Sequence, residues 1–295
     1  MSAALAIPEA APEVEPEARA WRARLPYISL AVVALFAFVA AAGQTLAPYN
    51  AYQINLVGRL QPPFWMAGGS VAHLLGTDEL GRDLLSRIIV GARVSFVVAV
   101  LGIVVGGTIG GCLGLIAAYR GGKLEAVIMR CADASLAFPI LLFAIMLAVI
   151  VGPGIVPVLL TVILLLWARF ARLVRAEVLS LKQREFVLLA RLGGSSSMRI
   201  MLVHIVPNIT GSFAVLFTLQ IGVIVILEAT LSFLGAGVPP PTPTWGNMIA
   251  GGRDYIADAW WLSAFPGMAV TIAVLAFNLL GDWLRDYLDP KLRQA

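Results

Sequence analysis

Asp78, Glu79, Arg82, Asp83 and Arg87 bring five ionisable side chains into ten residues, with Gly76 and Gly81 beside them as turn formers. Acids and bases this close in sequence either neutralise each other in a structural network or present a polar gate. Glu228 follows an apolar run, where solvation at a helix end or a pair with an outer arginine would keep its charge. His73 and His204 each lack a second ligand at metal spacing, and Cys112 and Cys131 lack one too, so neither a metal centre nor a disulfide is expected. The most informative segment is Glu185 to Asn208. It reads as a short helix, a turn at Gly193-Gly194 with Ser195 to Ser197 offering caps, and a second helix running past Pro207. Phe186, Leu188, Leu189 and Leu192 recur at helical spacing among Arg184, Glu185 and Arg191. Such a helix either docks into a groove on another protein or lies on lipid headgroups.

The elements that position these residues follow from composition. The chain has 295 residues, 60% hydrophobic and 13% charged, against about a quarter charged in a soluble domain. Apolar runs free of charge recur at lengths of roughly 18 to 25 residues, each enough to cross a bilayer as a helix. Backbone groups in hydrocarbon must pair within their own segment, and the runs are too long and unbroken for barrel strands. The expected fold is therefore an all-α membrane protein, a polytopic bundle of about six transmembrane helices.

The spans are expected near Tyr27–Ala47, Val94–Ala118, two within Ala134–Ala168 divided by Gly152-Pro153-Gly154, Pro207–Leu227 and Leu262–Gly281. This gives a disordered tail at 1–24, a first span at 25–48, an outer loop at 49–93, a membrane domain at 94–285 and a C-terminal tail at 286–295. The second span carries Gly102, Gly106, Gly107, Gly110, Gly111 and Gly114, small residues that let helices approach closely. The first twenty-odd residues are rich in Ala, Pro and Glu and lack the basic start and short apolar core of a cleavable signal. With strict alternation, sixteen of the 21 Lys and Arg fall on the side of the two termini, which places both termini in the cytoplasm. Arg120, Lys123 and Arg130 then form a short basic inner loop. Arg169, Arg172, Arg175, Lys182, Arg184, Arg191 and Arg199 belong to the largest inner loop, at about 169–207. Pro239-Pro-Pro-Thr-Pro-Thr-Trp-Gly246 must be stiff, because proline fixes the backbone and cannot donate to a helix. It shapes the outer mouth, followed by Arg253 and Asp254.

The segment from Glu185 resembles the signature loop of prokaryotic permeases of ATP-binding-cassette importers. There, Glu-Ala-Ala, three residues, Gly and a later Ile-x-Leu-Pro mark a cytoplasmic coupling helix. Leu188-Leu189-Ala190 stands in the Glu-Ala-Ala place, Gly194 in that of the glycine, and His204-Ile205-Val206-Pro207 at the end. Leu188-Leu189 departs from the signature by removing its carboxylate, so hydrophobic docking remains where a salt bridge would have formed. Leu75-Gly-Thr-Asp-Glu-Leu-Gly-Arg-Asp-Leu-Leu-Ser-Arg87, Gly91-Ala-Arg-Val-Ser95, Ala171-Arg-Leu-Val-Arg175, Glu228-Ala-Thr-Leu-Ser-Phe-Leu-Gly235 and Asn278 to Pro290 are similar to the dipeptide, oligopeptide and nickel importer permeases, specifically their C-type subunit.

The resemblance implies a permease subunit in the bacterial inner membrane. It implies a homologous second permease, two cytoplasmic ATPases that hold ATP and Mg, and an extracytoplasmic solute-binding protein, with no nucleic acid and no cofactor on this chain. The coupling loop would comprise Glu185, Leu188, Leu189, Ala190, Arg191, Gly194 and Pro207. The outer gate or binding-protein contact would comprise Asp78, Arg82, Asp83, Glu228, Trp245, Arg253 and Asp254. No Gly-x-x-x-x-Gly-Lys-Ser/Thr loop is present to cradle phosphates, so the chain is expected to be a transport subunit without an ATPase site. Short peptides are the favoured solute, with nickel complexes or another small solute as the alternative. A proton-coupled secondary transporter would want ionisable residues inside the spans and an internal repeat, and an intramembrane enzyme would want catalytic groups there. The spans as drawn are free of charge, which argues against both.

Overall fold

A computed structural model describes residues 16–288, and among these every regular element is helical. The order is α1 (Pro16–Leu46), α2 (Leu84–Arg120), α3 (Gly122–Ala137), α4 (Ile140–Val151), α5 (Ile155–Leu181), α6 (Glu185–Leu192), α7 (Ser197–Arg199), a π-helical turn (Ile200–Ile205), α8 (Val206–Phe233), α9 (Trp245–Gly252) and α10 (Trp261–Leu288), with short 3-10 turns at Leu56–Gly58 and Arg253–Tyr255. Five stretches are long and apolar enough to cross a membrane: Tyr27–Leu46, Leu84–Arg120, Ile155–Leu181, Ser197–Phe233 and Trp261–Leu288. Helices α3 and α4 pass the same test only as a pair, bent by 87° at their junction, which makes them a broken span or a re-entrant loop.

Close approach of α2 to α5 organises the bundle. Gly102, Gly106, Gly110 and Gly114 repeat every fourth residue, so they share one face of α2. A Cβ on Gly106 would stand 2.7 Å from Leu166 Cβ, and one on Gly114 would stand 2.5 Å from the Ala171 carbonyl oxygen. At Gly110 it would run into the Trp167 carbonyl. Gly107 and Gly111 open a second face, which receives Phe213 from α8. Around this seam lies the main core, including Val98, Ile103, Val162, Leu166, Phe170, Ile224 and Phe277. Phe36 of α1 joins it through ring contacts to Phe96 at 5.5 Å, Trp245 at 5.3 Å and Phe277 at 6.1 Å.

Several expected boundaries move, each for a physical reason. The helix expected from Val94 begins at Leu84, because Asp83 caps it by accepting from the Ser86 N–H at 2.8 Å. Arg87 and Arg93 are therefore helical, and the outer segment ends at residue 83. The basic inner loop expected after the second span is a turn at Gly121, followed at once by α3. The run between Ala134 and the Gly152 break is not one straight span: Pro139 cannot donate and holds Phe138 extended (φ −76°, ψ 135°), so the chain turns sharply there. Twelve-residue α4 is only about 18 Å long, too short to cross alone. Arg169, Arg172 and Arg175 lie in α5, which continues to Leu181, not in a loop. Helix α8 runs past Leu227 to Phe233 and so encloses Glu228. At the start, α1 reaches back to Pro16, into the stretch expected as a tail, and at the end α10 reaches Leu288. Residues 1–15 and 289–295, part of the two expected tails, lie outside the described residues.

If the α2–α5 seam sets the packing, Gly110→Ala lowers stability by roughly 1–3 kcal/mol through overpacking. Gly267→Ala, at a helical position where an added methyl meets nothing within 4 Å, leaves stability the same or slightly higher. Thermal unfolding of the two variants in detergent, compared with the parent, checks this; equal midpoints for Gly110→Ala and the parent would refute it.

Candidate functional site

At one end of the bundle, α6 is mounted on its neighbours by a single buried residue. Arg184 is extended, and α6 begins at Glu185 and ends at Leu192. Gly194 takes a φ of +77°, a left-handed conformation that glycine adopts without cost. The Gly193 N–H then bonds the Leu189 carbonyl at 2.9 Å and the Ser195 N–H bonds the Ala190 carbonyl at 3.1 Å, closing the helix end. Ser196 Oγ accepts from the Arg199 N–H at 3.4 Å and starts α7. Val187 is fully buried in a cluster with Ala118, Val174, Val178, Ile200, Ile205 and Ile209, so α6 rests on the π-helical turn and, through that cluster, joins the ends of α2, α5 and α8. Lys182 Nζ donates to the carbonyls of Ala118 and Tyr119 at 2.8 and 2.9 Å, tying α5 to the last turn of α2.

The opposite side of α6 is bare. Leu189 is 66% and Leu192 85% exposed, and Phe186, Leu188, Glu185 and Arg191 are exposed with them. Ala190 is half-buried, packed against the supporting cluster. Pro207 opens α8 directly after the π turn, a position where its missing N–H removes little. The sequence-derived coupling residues thus form one helix, its glycine stop and the start of the next span, with an apolar, unpartnered face between.

At the other end, the clustered charges are paired and buried. Arg82 Nε donates to Asp78 Oδ2 at 2.7 Å and Arg82 Nη2 to Glu79 Oε1 at 3.1 Å. Arg87 Nη1 lies 3.4 Å from Asp78 Oδ2, an ion-pair distance without hydrogen-bond geometry. Asp83 caps α2 and holds His73 Nδ1 at 2.9 Å, while the His73 ring lies tilted against Tyr49 with centroids 4.9 Å apart. Asp78, Arg82, Asp83 and Arg87 are all buried. Among the expected outer contacts, Trp245 is also buried, its Nε1 donating to the Ile88 carbonyl at 2.9 Å. Arg253 and Asp254 form an exposed pair at 3.1 Å. The knot therefore folds the segment before α2 onto this end of the bundle, where Glu79 is half-buried against Arg82 and the Arg253–Asp254 pair stands exposed just after α9 in sequence.

Glu228 differs from its expectation. It is fully buried and meets serines in place of an arginine: Ser95 Oγ donates to one oxygen at 2.6 Å and Ser232 Oγ to the other at 2.8 Å. Because α8 continues past it, the carboxyl is enclosed between α2 and α8 instead of standing at a helix end. The membrane helices are accordingly not free of charge. Besides Glu228 they hold Arg172, paired with Asp133 of α3 at 2.5 Å, and Arg175, paired with Glu125 of α3 at 2.6 Å. Glu177 accepts from Ser212 at 2.8 Å. Sequence reasoning missed Ser95 and Lys182, whose partners are distant in the chain, and Ser232, which stands one helical turn from Glu228. The available signal was that an ionisable group in lipid needs an internal partner.

Residues 110–294 match the family model described as binding-protein-dependent transport system inner membrane component. The chain is 42% identical over 261 residues to a di/tripeptide transport system permease protein of Pseudomonas aeruginosa, covering 88% of this chain and 86% of the relative. It is 43% identical over 267 residues to a dipeptide transport system permease protein of Escherichia coli, covering 90% and 89%. A putative peptide transport system permease protein of Brucella suis is 41% identical over 265 residues, covering 90% and 86%.

Removing the hub of the outer knot should be costly, because Asp78→Ala leaves Arg82 and Arg87 buried without their shared acceptor. The expected loss is about 3–5 kcal/mol, with residues 49–83 becoming susceptible to proteolysis. Limited proteolysis of detergent-solubilised protein reads this out; a digestion pattern like the parent's would exclude it.

Proposed function

Because the chain belongs to the family of binding-protein-dependent transport system inner membrane components, we propose that it forms, with a homologous second permease, the pathway by which an ATP-binding-cassette importer takes short peptides across the bacterial inner membrane. The chain is the transport component. Separate ATPases hold ATP and Mg and supply the driving force, and a solute-binding protein delivers the peptide from outside. The peptide solute rests on the relatives, which are named for di/tripeptide, dipeptide and peptide transport. Both termini face the cytoplasm, in keeping with the excess of Lys and Arg on that side.

The observation that carries the mechanical part is the bare apolar face of α6 on a rigid mount. Burying Leu189 and Leu192 against a partner yields about 1.5–3 kcal/mol each, and the rigid seat at Val187 prevents α6 from yielding when pushed. Force applied there reaches α2, α5 and α8 together, and rigid-body rotation of such helices switches access from one side to the other. Leu188 and Leu189 in place of a carboxylate make the contact hydrophobic, so it should tolerate salt better than an ion pair would.

Leu189→Glu tests the reading, since the residue is exposed and the substitution leaves the core intact. The expected result is loss of the copurifying ATPases and at least a tenfold drop in dipeptide uptake, with the thermal midpoint unchanged. Dipeptide uptake into liposomes holding this chain with every ATPase removed would overturn the proposal, as would labelling of Ser196→Cys from outside only.

A further inference from the structure

Three arginines wind along α5, and the chain treats one of them differently. Arg172 and Arg175 each receive a carboxylate from α3. Arg169 has none within ion-pairing distance among the described residues; its Nη1 donates to the amide oxygen of Gln220 at 3.1 Å. Both residues stand near the middle of long helices, Arg169 in α5 and Gln220 in α8. A lone guanidinium at that depth is costly and belongs on a bundle interior or a water-filled path, not against lipid.

Gln220 adds an independent sign. Its side chain is 5% exposed, and its Nε2 has no hydrogen-bond partner. The amide cannot be turned round to cure this, because arginine only donates and the oxygen must therefore face it. The crease between α5 and α8 thus holds the buried, unanswered NH2 of Gln220 beside the half-buried guanidinium of Arg169, whose hydrogen bond runs to the Gln220 oxygen. Buried donors are rarely left so, and what is missing is a compact anion that accepts from both.

We propose that Arg169 and Gln220 form a way-station for the C-terminal carboxylate of the peptide as it passes along the permease. The inference rests on the peptide reading above and adds the group recognised and the residues that recognise it. A guanidinium and a carboxylate make paired, charge-assisted hydrogen bonds, and the amide supplies a further donor. Where the fold needs permanent neutralisation it provides its own acid from α3; at Arg169 it withholds one, which leaves the charge free for a transient guest.

The test uses the whole importer, both permeases, both ATPases and the binding protein, in proteoliposomes, with radiolabelled dialanine as probe and the number of peptides imported per ATP hydrolysed as readout. Arg169→Gln should lower that ratio by roughly tenfold or more, the loss of one or two charge-assisted hydrogen bonds. Gln220→Glu should lower it similarly, because a built-in carboxylate occupies Arg169. A pair with only a structural role would instead be strengthened by Gln220→Glu, so parental coupling in that variant overturns the proposal. An unchanged ratio in Arg169→Gln also overturns it. Loss of the second permease from purified Arg169→Gln importer overturns it too, since the missing acceptor would then be a partner's acid. Should the parent importer take up another solute and no dialanine, the peptide reading itself falls and takes this one with it.

Discussion

A polar group that enters hydrocarbon is costly without a partner, and answering nearly all of them from within the protein shapes the molecule from one end to the other. It is why Glu228 sits between two serines, why two arginines of α5 are met by acids of α3, and why Lys182 closes over the last carbonyls of α2. It also explains why the charge-dense outer segment is a knot: Asp78 accepts from two backbone N–H groups as well as from Arg82. Helices joined at such points move as a unit, because separating them would strand a charge.

Those ties connect the two ends of the bundle. Helix α2 carries the outer knot at its first turn through Asp83 and Arg87, and offers its final carbonyls to Lys182 beside the α6 mount. Between them, the glycine face holds α5 at backbone distance. On the proposed coupling role, motion imposed on α6 would meet a continuous set of contacts to the opposite end of the bundle, where Trp245 at the start of α9 is anchored by its bond to Ile88. Coupling by such a route needs no deformation of the core, only a tilt of members already fastened together.

Hydropathy made the number and order of the spans readable, and the Glu185 to Pro207 pattern made α6 and its glycine stop readable, because both signals are local. What failed was decided by contacts distant in sequence. Arg169 to Arg175 looked like a loop because their charge argued against lipid, and only the acids of α3 and the amide of Gln220 reconcile them with a helix. Glu228 looked like a helix end because Ser95, its partner, lies 133 residues earlier. The bend between α3 and α4 was written in Pro139, yet the surrounding apolar run outweighed that one residue in a reading by composition.

The glycines of α2 have a further consequence, for how the protein is made. Each glycine inside a helix costs about 0.5–1 kcal/mol relative to alanine, and six of them fall between Gly102 and Gly114. In the bilayer α2 still holds its helix, because its backbone has no other partner there, but its glycine face lacks packing until it meets α5, which leaves the ribosome only after α3 and α4. During that interval the half-finished chain presents a small-residue furrow with no occupant, so the order of synthesis itself makes α2 dependent on a helix not yet born.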